Sequence, residues 1–298
     1  MICAVVLCAG EGIRLRPITA VLPKPLCPVG NVALLDRALR RLTEHALVGP
    51  QRVAVNTCYL GEQVARHVDG RAHISREPGP PALGTSGALH HLRDWIAGRD
   101  VLVLNSDAYL SGSGRDLRPL LDGWDRRTVR VLSVPTGDRA PEFGDRRFAG
   151  ASLLPADLVA DLPAGRSDLV LTLWRPAQRA GRLELAAYDG LYLDTGTPAD
   201  YLAANLHAAA AAPLGSLIDP DAVVTGRVDH CVVGAGAHVA GSVTRCVVLP
   251  GARVARAEVL ADVIRLGTDT TVSGPATARY GQRDEVGPAR GPAPEEEP

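Results

Sequence analysis

The feature that most constrains the fold is a 15-residue repeat near the end of the chain. The segments IDPDAVVTGRVDHCV, VGAGAHVAGSVTRCV and VLPGARVARAEVLAD run on from Ile218 and are followed by Val263. Apolar residues recur at the first position of each segment and again six residues later. A fixed period of this length is typical of a solenoid, in which short strands stack coil on coil. We therefore predict a short β-helix of about three coils over residues 213–267, packed against the rest of the chain.

Residues 1–212 have a different pattern, in which apolar runs alternate with amphipathic segments. Residues 2–9 form an unbroken apolar run that ends at Gly10, as is typical of a strand covered on both faces of a parallel sheet. Further strands are predicted at 53–57, 101–107, 129–134 and 148–154, and helices at 34–45, 61–68, 88–96, 117–124 and 198–212. This alternation predicts an α/β domain, a Rossmann-like and mainly parallel sheet flanked by helices. Ligands of such sheets bind beyond the carboxyl ends of the strands.

Composition narrows the class of protein. Its 32 basic and 33 acidic residues give a net charge of −1, which favours neither nucleic acid nor an anionic membrane as a partner. No apolar run approaches the ~18 residues of a membrane span, and the first residues lack a signal-peptide pattern, so we expect a cytoplasmic protein. The six cysteines form no CxxC pair. They predict buried reduced thiols rather than a disulfide or metal framework. The last segment, 275–298, is rich in Pro, Gly and Glu and is predicted to be disordered.

One lysine stands in the whole chain, Lys24, between Pro23 and Pro25. It follows the glycine-containing segment CAGEG, whose backbone can turn tightly and present N–H groups to an anion. The flanking prolines hold the lysine on a stiff segment. A compact ammonium fits between crowded phosphate oxygens where a broad guanidinium does not. Lys24 alone is equally compatible with an ordinary surface lysine, and a glycine loop alone is a weak signal.

Several motifs occur together and in order. They are GEGIRLRPIT, LPKPLCPVGN, EPGPPALGTSGAL, LNSD, FAGASLL and LYLDTGTPADY, which span positions 10–201 of the chain. This series resembles the sugar-1-phosphate nucleotidylyltransferase family, whose signature runs G-x-G-T-R-L-x-P-x-T and then P-K-P-L-x-P-V. The resemblance implies the nucleotide-diphospho-sugar transferase fold, often followed by a short left-handed β-helix. It also implies transfer of a nucleotidyl group from an NTP to a sugar 1-phosphate, with release of pyrophosphate.

The same resemblance assigns roles to residues. Arg14, Lys24 and Asp107 would be catalytic, with Asp107 and Asp194 holding Mg²⁺ against the phosphates. The nucleotide would lie against Leu7, Ala9, Gly10, Gly12, Gly84 and Thr85, and the sugar phosphate against Asn56, Gly150 and Asp194. Mg²⁺ prefers hard oxygen ligands, usually one or two carboxylates plus substrate phosphates. On local pattern alone, Asp107 could be a cap and Asp194 a turn residue.

Two departures leave the substrates open. The threonine of the family's loop is Ile13 here, and the family's E-K-P element is replaced by PTGDRAPEFGDRRFAG. Arg146 or Arg147 could supply the missing charge, with a different geometry. The coils and the LGTSG stretch favour a mannose-1-phosphate guanylyltransferase-like enzyme. The alternatives are a uridylyl- or thymidylyltransferase acting on glucose 1-phosphate or N-acetylmuramate 1-phosphate.

Two hypotheses from other classes of protein also remain open. One is a non-catalytic regulatory homologue that binds nucleotide sugars. The other is an acyltransferase that uses His230 and His238 of the repeat. The resemblance further suggests a homo-oligomer formed through the β-helix.

Overall fold

The computed structural model describes residues 1–112, 116–137 and 139–274, so the tail predicted to be disordered lies outside the described residues. Its largest element is a sheet of seven strands. Their order across the sheet is Leu183–Ala187, Val129–Pro135, Arg146–Leu154, Asp100–Asn105, Ile2–Leu7, Val53–Thr57 and His73–Arg76. Only Arg146–Leu154 runs antiparallel to its neighbours; the other pairs are parallel. The prediction of a mainly parallel sheet is confirmed.

Helices cover both faces of this sheet. The apolar strand Ile2–Leu7 therefore buries alternate residues on opposite sides. Ala4 and Val6 belong to one core cluster, and Cys3 and Val5 belong to the other. The α-helices are Ile18–Val21, Leu34–Glu44, Gly61–Val68, Gly84–His91, Arg93–Ile96, Arg118–Leu121, Ala156–Ala160, Arg175–Arg179 and Pro198–Ala210. Short 3₁₀ turns span Ile13–Leu15, Lys24–Leu26 and Pro213–Gly215, and a π-helical turn spans Val170–Trp174.

Two sequence predictions about this domain need correction. The helix predicted over 88–96 begins earlier, at Gly84, and breaks at Leu92 into two short helices. Besides the two-residue strands Pro28–Val29 and Val32–Ala33, four strands were not predicted, at His73–Arg76, Ala108–Ser111, Leu183–Ala187 and Leu191–Asp194. Each of these four contains only four or five residues, too few for a periodic pattern to stand out.

The C-terminal strands stack as coils, as the repeat predicts. Three parallel ladders run through them, one of which joins Val223, His238 and Arg253 at the period of the repeat. The next coil departs from the period, because Val248 pairs with Arg265 rather than with Val263. The paired residues are two positions further apart in sequence than in the other coils. The extra two residues lie in the turn between the strand that ends at Val254 and the strand that begins at Val259. These strands are consistent with a small β-helix; its hand stays a prediction.

Buried Arg265 is the consequence of this longer turn. It occupies the ladder column of Val233 and Val248 and is 2% exposed. Its guanidinium pairs with Glu258, which lies in the longer turn, and donates to the Thr268 carbonyl at 3.0 Å. A buried cation in an apolar column is tolerated because it is paired and hydrogen-bonded.

The coils pack on the preceding domain through helix Pro198–Ala210, as predicted. Tyr201 and Leu202 of this helix share a core cluster with Val247 and Ile264 of the coils. The Asn31 side chain also donates to the Val233 carbonyl at 2.9 Å. The domain boundary at residue 212 stays a prediction.

All six cysteines are free, and five of them are buried. The prediction that the thiols are buried is confirmed for these five; their reduced state stays a prediction.

Candidate active site

A cavity of about 500 Å³ opens at the carboxyl ends of the central strands. Its lining comes from the glycine loop, the segments that follow three strands and the start of one helix. The lining residues are Leu7, Cys8, Ala9, Gly10, Glu11, Gly12, Ile13, Arg14, Lys24, Pro25, Asn56, Pro81, Ala82, Gly84, Thr85, Asn105, Ser106, Asp107, Arg166 and Gly196. Every residue predicted to bind the nucleotide lies here. We call this space the first cavity.

The glycine loop has a backbone shape that depends on Gly12. Its φ of 63° is left-handed, and a Cβ there would lie 3.0 Å from Thr19 and 3.2 Å from Lys24. The Gly12 carbonyl accepts from the Leu15 N–H at 2.9 Å and from the Thr19 hydroxyl at 2.8 Å. A Cβ at Gly10 would meet nothing within 4 Å. Gly12 therefore closes the loop against the lysine segment, and Gly10 leaves the cavity side open.

Asn56 is 3% exposed, and its side chain is hydrogen-bonded to the backbone at the start of the glycine loop. Its Oδ1 accepts from the Cys8 N–H at 2.7 Å, and its Nδ2 donates to Glu77 Oε1 at 2.7 Å. Glu77 in turn accepts from the Leu83 N–H at 2.6 Å. This chain of contacts joins the glycine loop to the LGTSG segment. Contact of Asn56 with the sugar stays a prediction.

Lys24 lies 7% exposed at the floor of the first cavity, between two carboxylates. Its Nζ is 2.5 Å from Asp107 Oδ2 and 3.8 Å from Asp194 Oδ1. These two residues are far apart in sequence, but Asp194 pairs with Ala108 in a two-stranded antiparallel ladder. Thr195 fixes the junction, because its hydroxyl donates to the Asp107 carbonyl at 2.9 Å. The structure thus brings together the three residues predicted to surround the reacting phosphates.

Arg14 reaches the same cluster from the glycine loop. Its Nη2 is 3.5 Å from Asp194 Oδ2, and its side chain is 65% exposed toward the cavity. A Cβ on Gly196 would lie 2.6 Å from this guanidinium and 2.9 Å from Asp194. Glycine at 196 therefore leaves room for Arg14 beside the carboxylate.

A second cavity, of about 680 Å³, lies on the other side of Asp194. It is lined by Val134, Pro135, Thr136, Gly137, Arg139, Arg146, Arg147, Tyr188, Asp189, Gly190, Leu191, Tyr192, Leu193, Asp194, Asp200 and Ala203. Asp107 lines the first cavity and Asp194 the second, and Lys24 contacts both carboxylates. Two ligands could therefore meet at this cluster.

Gly84 and Thr85 line the far end of the first cavity, but neighbouring backbone already covers them. A Cβ on Gly84 would lie 2.4 Å from the Ser167 carbonyl oxygen. The Thr85 hydroxyl accepts from the Leu169 N–H at 2.8 Å, so it is engaged within the protein. Arg166, in the same covering segment, is the additional cation at this end.

Gly150 is the one predicted site residue that lines neither cavity. It is buried, its φ is 79°, and a Cβ there would lie 2.3 Å from the Ala108 Cβ. The structure gives it a packing role between Arg146–Leu154 and the ladder that carries Asp194. Its contact with the sugar stays a prediction.

The carboxylate pair fits a divalent metal. Asp107 and Asp194 are 32% and 28% exposed, so both can reach a ligand in the cavities. Within residues 1–112, 116–137 and 139–274, no group of three or more His, Cys, Asp or Glu side chains could hold a metal by itself. Two carboxylates completed by substrate phosphates are the arrangement that Mg²⁺ commonly takes.

The sequence reasoning missed three residues of the site. Gly196 belongs to the DTGT motif, two positions after Asp194, and this position could have predicted that it lies in the site. Ser106 follows an apolar strand and ties its end to Leu7, whose carbonyl accepts from the hydroxyl at 2.7 Å. Arg166 lies far along the chain from the LGTSG segment at its end of the cavity, and no local pattern marked it.

No helix in the described residues is long and apolar enough to cross a membrane.

A model of the nucleotidyl transferase family matches residues 3–144. An N-acetylmuramate α-1-phosphate uridylyltransferase of Caulobacter vibrioides is 28% identical, over 70% of this chain and 97% of that protein. A mannose-1-phosphate guanylyltransferase of Mycobacterium tuberculosis is 29% identical, over 67% of this chain and 62% of that protein.

Longer relatives match over part of their length. A bifunctional protein GlmU of Methanococcus vannielii is 24% identical over 68% of this chain, which spans about half, 54%, of that protein. A solved structure from Bacillus anthracis, described as a glucose-1-phosphate thymidylyltransferase in complex with sucrose, superposes with a TM-score of 0.58. It covers 70% of this chain and 95% of its own at 18% identity, which supports the fold. Together with the motif series, these matches support a sugar-1-phosphate nucleotidylyltransferase family for this chain.

Proposed function

We propose that this protein transfers a nucleotidyl group from an NTP to a sugar 1-phosphate. The observation that carries the proposal is the position of Lys24, buried between Asp107 and Asp194 where the two cavities meet. In this reaction an oxygen of the sugar phosphate forms a bond to the α-phosphorus of the NTP. The bond from that phosphorus to the bridging oxygen of the β-phosphate breaks, and pyrophosphate leaves with the electron pair.

The site supplies charge and position rather than a nucleophile. A phosphate monoester has a second pKa of about 6, so the phosphate group is largely dianionic at neutral pH. Its oxygen is therefore already nucleophilic. The obstacle is bringing two polyanions together, and preorganised cations lower that barrier. Arg14 would hold the triphosphate, and Lys24 would contact both phosphates at the reacting centre. The Gly10–Gly12 backbone would follow the triphosphate.

Asp107 and Asp194 would hold Mg²⁺, the divalent cation that we propose for this site. Bound there, the cation would neutralise charge on the α-phosphate and the sugar phosphate. The carboxylates themselves would hold the Lys24 side chain in position through their ion pairs with its Nζ.

Among substrates we propose the GTP and mannose 1-phosphate pair first. The Mycobacterium tuberculosis relative is named a mannose-1-phosphate guanylyltransferase and extends beyond the matched region, and this chain too continues past its catalytic region into coils. The alternative is a uridylyl- or thymidylyltransferase acting on glucose 1-phosphate or N-acetylmuramate 1-phosphate. It is favoured because two N-acetylmuramate uridylyltransferases are matched over 97% and 93% of their lengths. Assembly through the coils and a cytoplasmic location stay predictions.

The test is pyrophosphate release across a grid of substrates. GTP, UTP, dTTP, ATP and CTP are each combined with the 1-phosphates of mannose, glucose, N-acetylglucosamine and N-acetylmuramate in the presence of Mg²⁺. We expect one pair to give strong release that EDTA abolishes. A grid without turnover, from folded protein that still binds nucleotide, would instead support a non-catalytic regulatory homologue.

A further inference from the structure

Three arginines line the second cavity, Arg139, Arg146 and Arg147. All three belong to the segment that replaces the E-K-P element, and the chain has no second lysine to serve there. A ligand that carries a phosphate would need at least one of these guanidinium groups to be available. Their contacts within the protein separate them.

Two of the three are already engaged. Arg139 forms an ion pair with Asp200 of helix Pro198–Ala210. Arg146 donates from Nε to the Ser133 hydroxyl and from Nη2 to the Ser133 carbonyl, both at 2.8 Å. These contacts join neighbouring strands, so Arg146 stabilises the sheet at the rim of the cavity.

Arg147 has a different environment. Its guanidinium carbon lies over the Tyr192 ring, 4.9 Å from the ring centroid, within the range of a cation–π contact. Its Nε is buried and has no hydrogen-bond partner among the described residues. The hydroxyl of Thr136, which lines the same cavity, is likewise buried without a partner in that part of the chain. Buried polar atoms without partners are uncommon in folded proteins and often mark a missing ligand or water.

The position of Tyr192 brings Arg147 near the reacting centre. Tyr192 and Asp194 are two residues apart on one strand, so their side chains share a face. Tyr192, Asp194 and Arg147 also line the same cavity. The contact between Arg147 and Tyr192 therefore lies on the side of the strand that carries Asp194.

We propose that Arg147 binds the phosphate of the sugar 1-phosphate in the second cavity. This inference rests on the proposed function and replaces the family's lysine with a guanidinium that lies over the Tyr192 ring. A planar fork can donate two parallel hydrogen bonds to a phosphate, which a lysine cannot do. The stacking on Tyr192 orders the side chain before the ligand arrives, so less conformational entropy is lost on binding. The Thr136 hydroxyl, which lines the same cavity, would donate to the same ligand.

The test separates binding of the two substrates. For Arg147→Ala and Arg147→Lys we expect KM for the sugar 1-phosphate to rise by about 10- to 100-fold, the usual loss for a hydrogen bond to a charged group. KM for the NTP should change by less than about threefold, because Arg147 lies outside the first cavity. Arg227→Ala is the control, since it removes an exposed guanidinium on the coils that lines neither cavity, and it should leave both KM values within about threefold.

Direct binding keeps this inference distinguishable from the proposed function. Inorganic phosphate, titrated calorimetrically into wild type, Arg147→Ala and Arg147→Lys, should bind wild type most tightly. Turnover by wild type together with an unchanged sugar-phosphate KM in both variants would overturn the role of Arg147 and leave the function standing. A grid without turnover, combined with phosphate binding that depends on Arg147, would remove the function and leave the anion site.

Discussion

Replacing Lys24 by arginine keeps the charge and changes only its shape, so it isolates the property that we assign to this residue. The ammonium is 7% exposed, and its Nζ lies 2.5 Å from Asp107 Oδ2. The Lys24 Cβ is 3.2 Å from the position that a Cβ on Gly12 would take, so the glycine loop packs directly on this segment. A guanidinium, longer and flat, would have to displace the loop or leave the pocket between the carboxylates.

The expected loss follows from the contacts removed. Withdrawing one preorganised donor from a charge-stabilising site costs about 10²–10³ in turnover, or about 2.7–4 kcal/mol of transition-state stabilisation. We therefore expect kcat/KM of Lys24→Arg to fall by about 10- to 1,000-fold and that of Lys24→Met by at least as much. Both carboxylates are about 30% exposed and can be hydrated, so the fold should survive.

The assay is initial-rate pyrophosphate release with the substrate pair that the grid identifies, alongside urea denaturation of each variant. Arg227→Lys is the matched control, because Arg227 is exposed on the coils, and it should keep the wild-type rate. A Lys24→Arg enzyme within about twofold of wild-type kcat/KM would refute the assignment of Lys24 to the reacting phosphates.

Three further predictions concern the backbone and the thiols. Gly12→Ala should lower the free energy of unfolding, measured by urea titration, by about 1–2 kcal/mol, because alanine is strained in the left-handed conformation. Gly10→Ala, whose Cβ would meet nothing within 4 Å, should leave the free energy of unfolding unchanged. Equal effects of the two substitutions would contradict the loop geometry. Gly150→Ala should lower the free energy of unfolding by about 2–4 kcal/mol, because overlap with Ala108 adds to the backbone strain. Gly144→Ala, which has a similar φ but open space around the new Cβ, should lower it by only about 1 kcal/mol. At pH 8, a thiol-specific disulfide reagent should label only Cys58 rapidly, since the other thiols are buried. Burial raises the pKa of Cys58 and raises that of Cys8 to about 12, so Cys8 carries almost no thiolate at pH 8. Several fast thiols in native protein would show a more open structure.

Much of the fold followed from local patterns in the sequence. The unbroken apolar run before Gly10 predicted the central strand, and the 15-residue period predicted the coils. The longer turn before Val259 could not be predicted, because VLADV continues the apolar pattern while the ladder shifts by two residues. The period therefore fixed the type of structure and not the register of the last coil.

The candidate site was predicted less completely. Lys24 was recognisable as the only lysine, held between prolines beside a glycine loop. Its placement between two carboxylates depends on a ladder that brings Asp194 next to Asp107, and that pairing is a tertiary event. The sequence left Arg146 and Arg147 equivalent, because only the packed strands show that Arg146 is bound to Ser133 and that Arg147 lies on Tyr192.

The most direct test of the central claim is ³¹P NMR of a reaction mixture containing wild-type protein, Mg²⁺ and the pair identified by the grid. Asp107→Asn, which removes one proposed metal carboxylate, serves as the matched variant. The account predicts equal amounts of pyrophosphate and of a diphosphate diester, the NDP-sugar, from wild type. It predicts almost no product from Asp107→Asn. Pyrophosphate without the diester, or equal rates from both proteins, would contradict nucleotidyl transfer at the cluster of Lys24, Asp107 and Asp194.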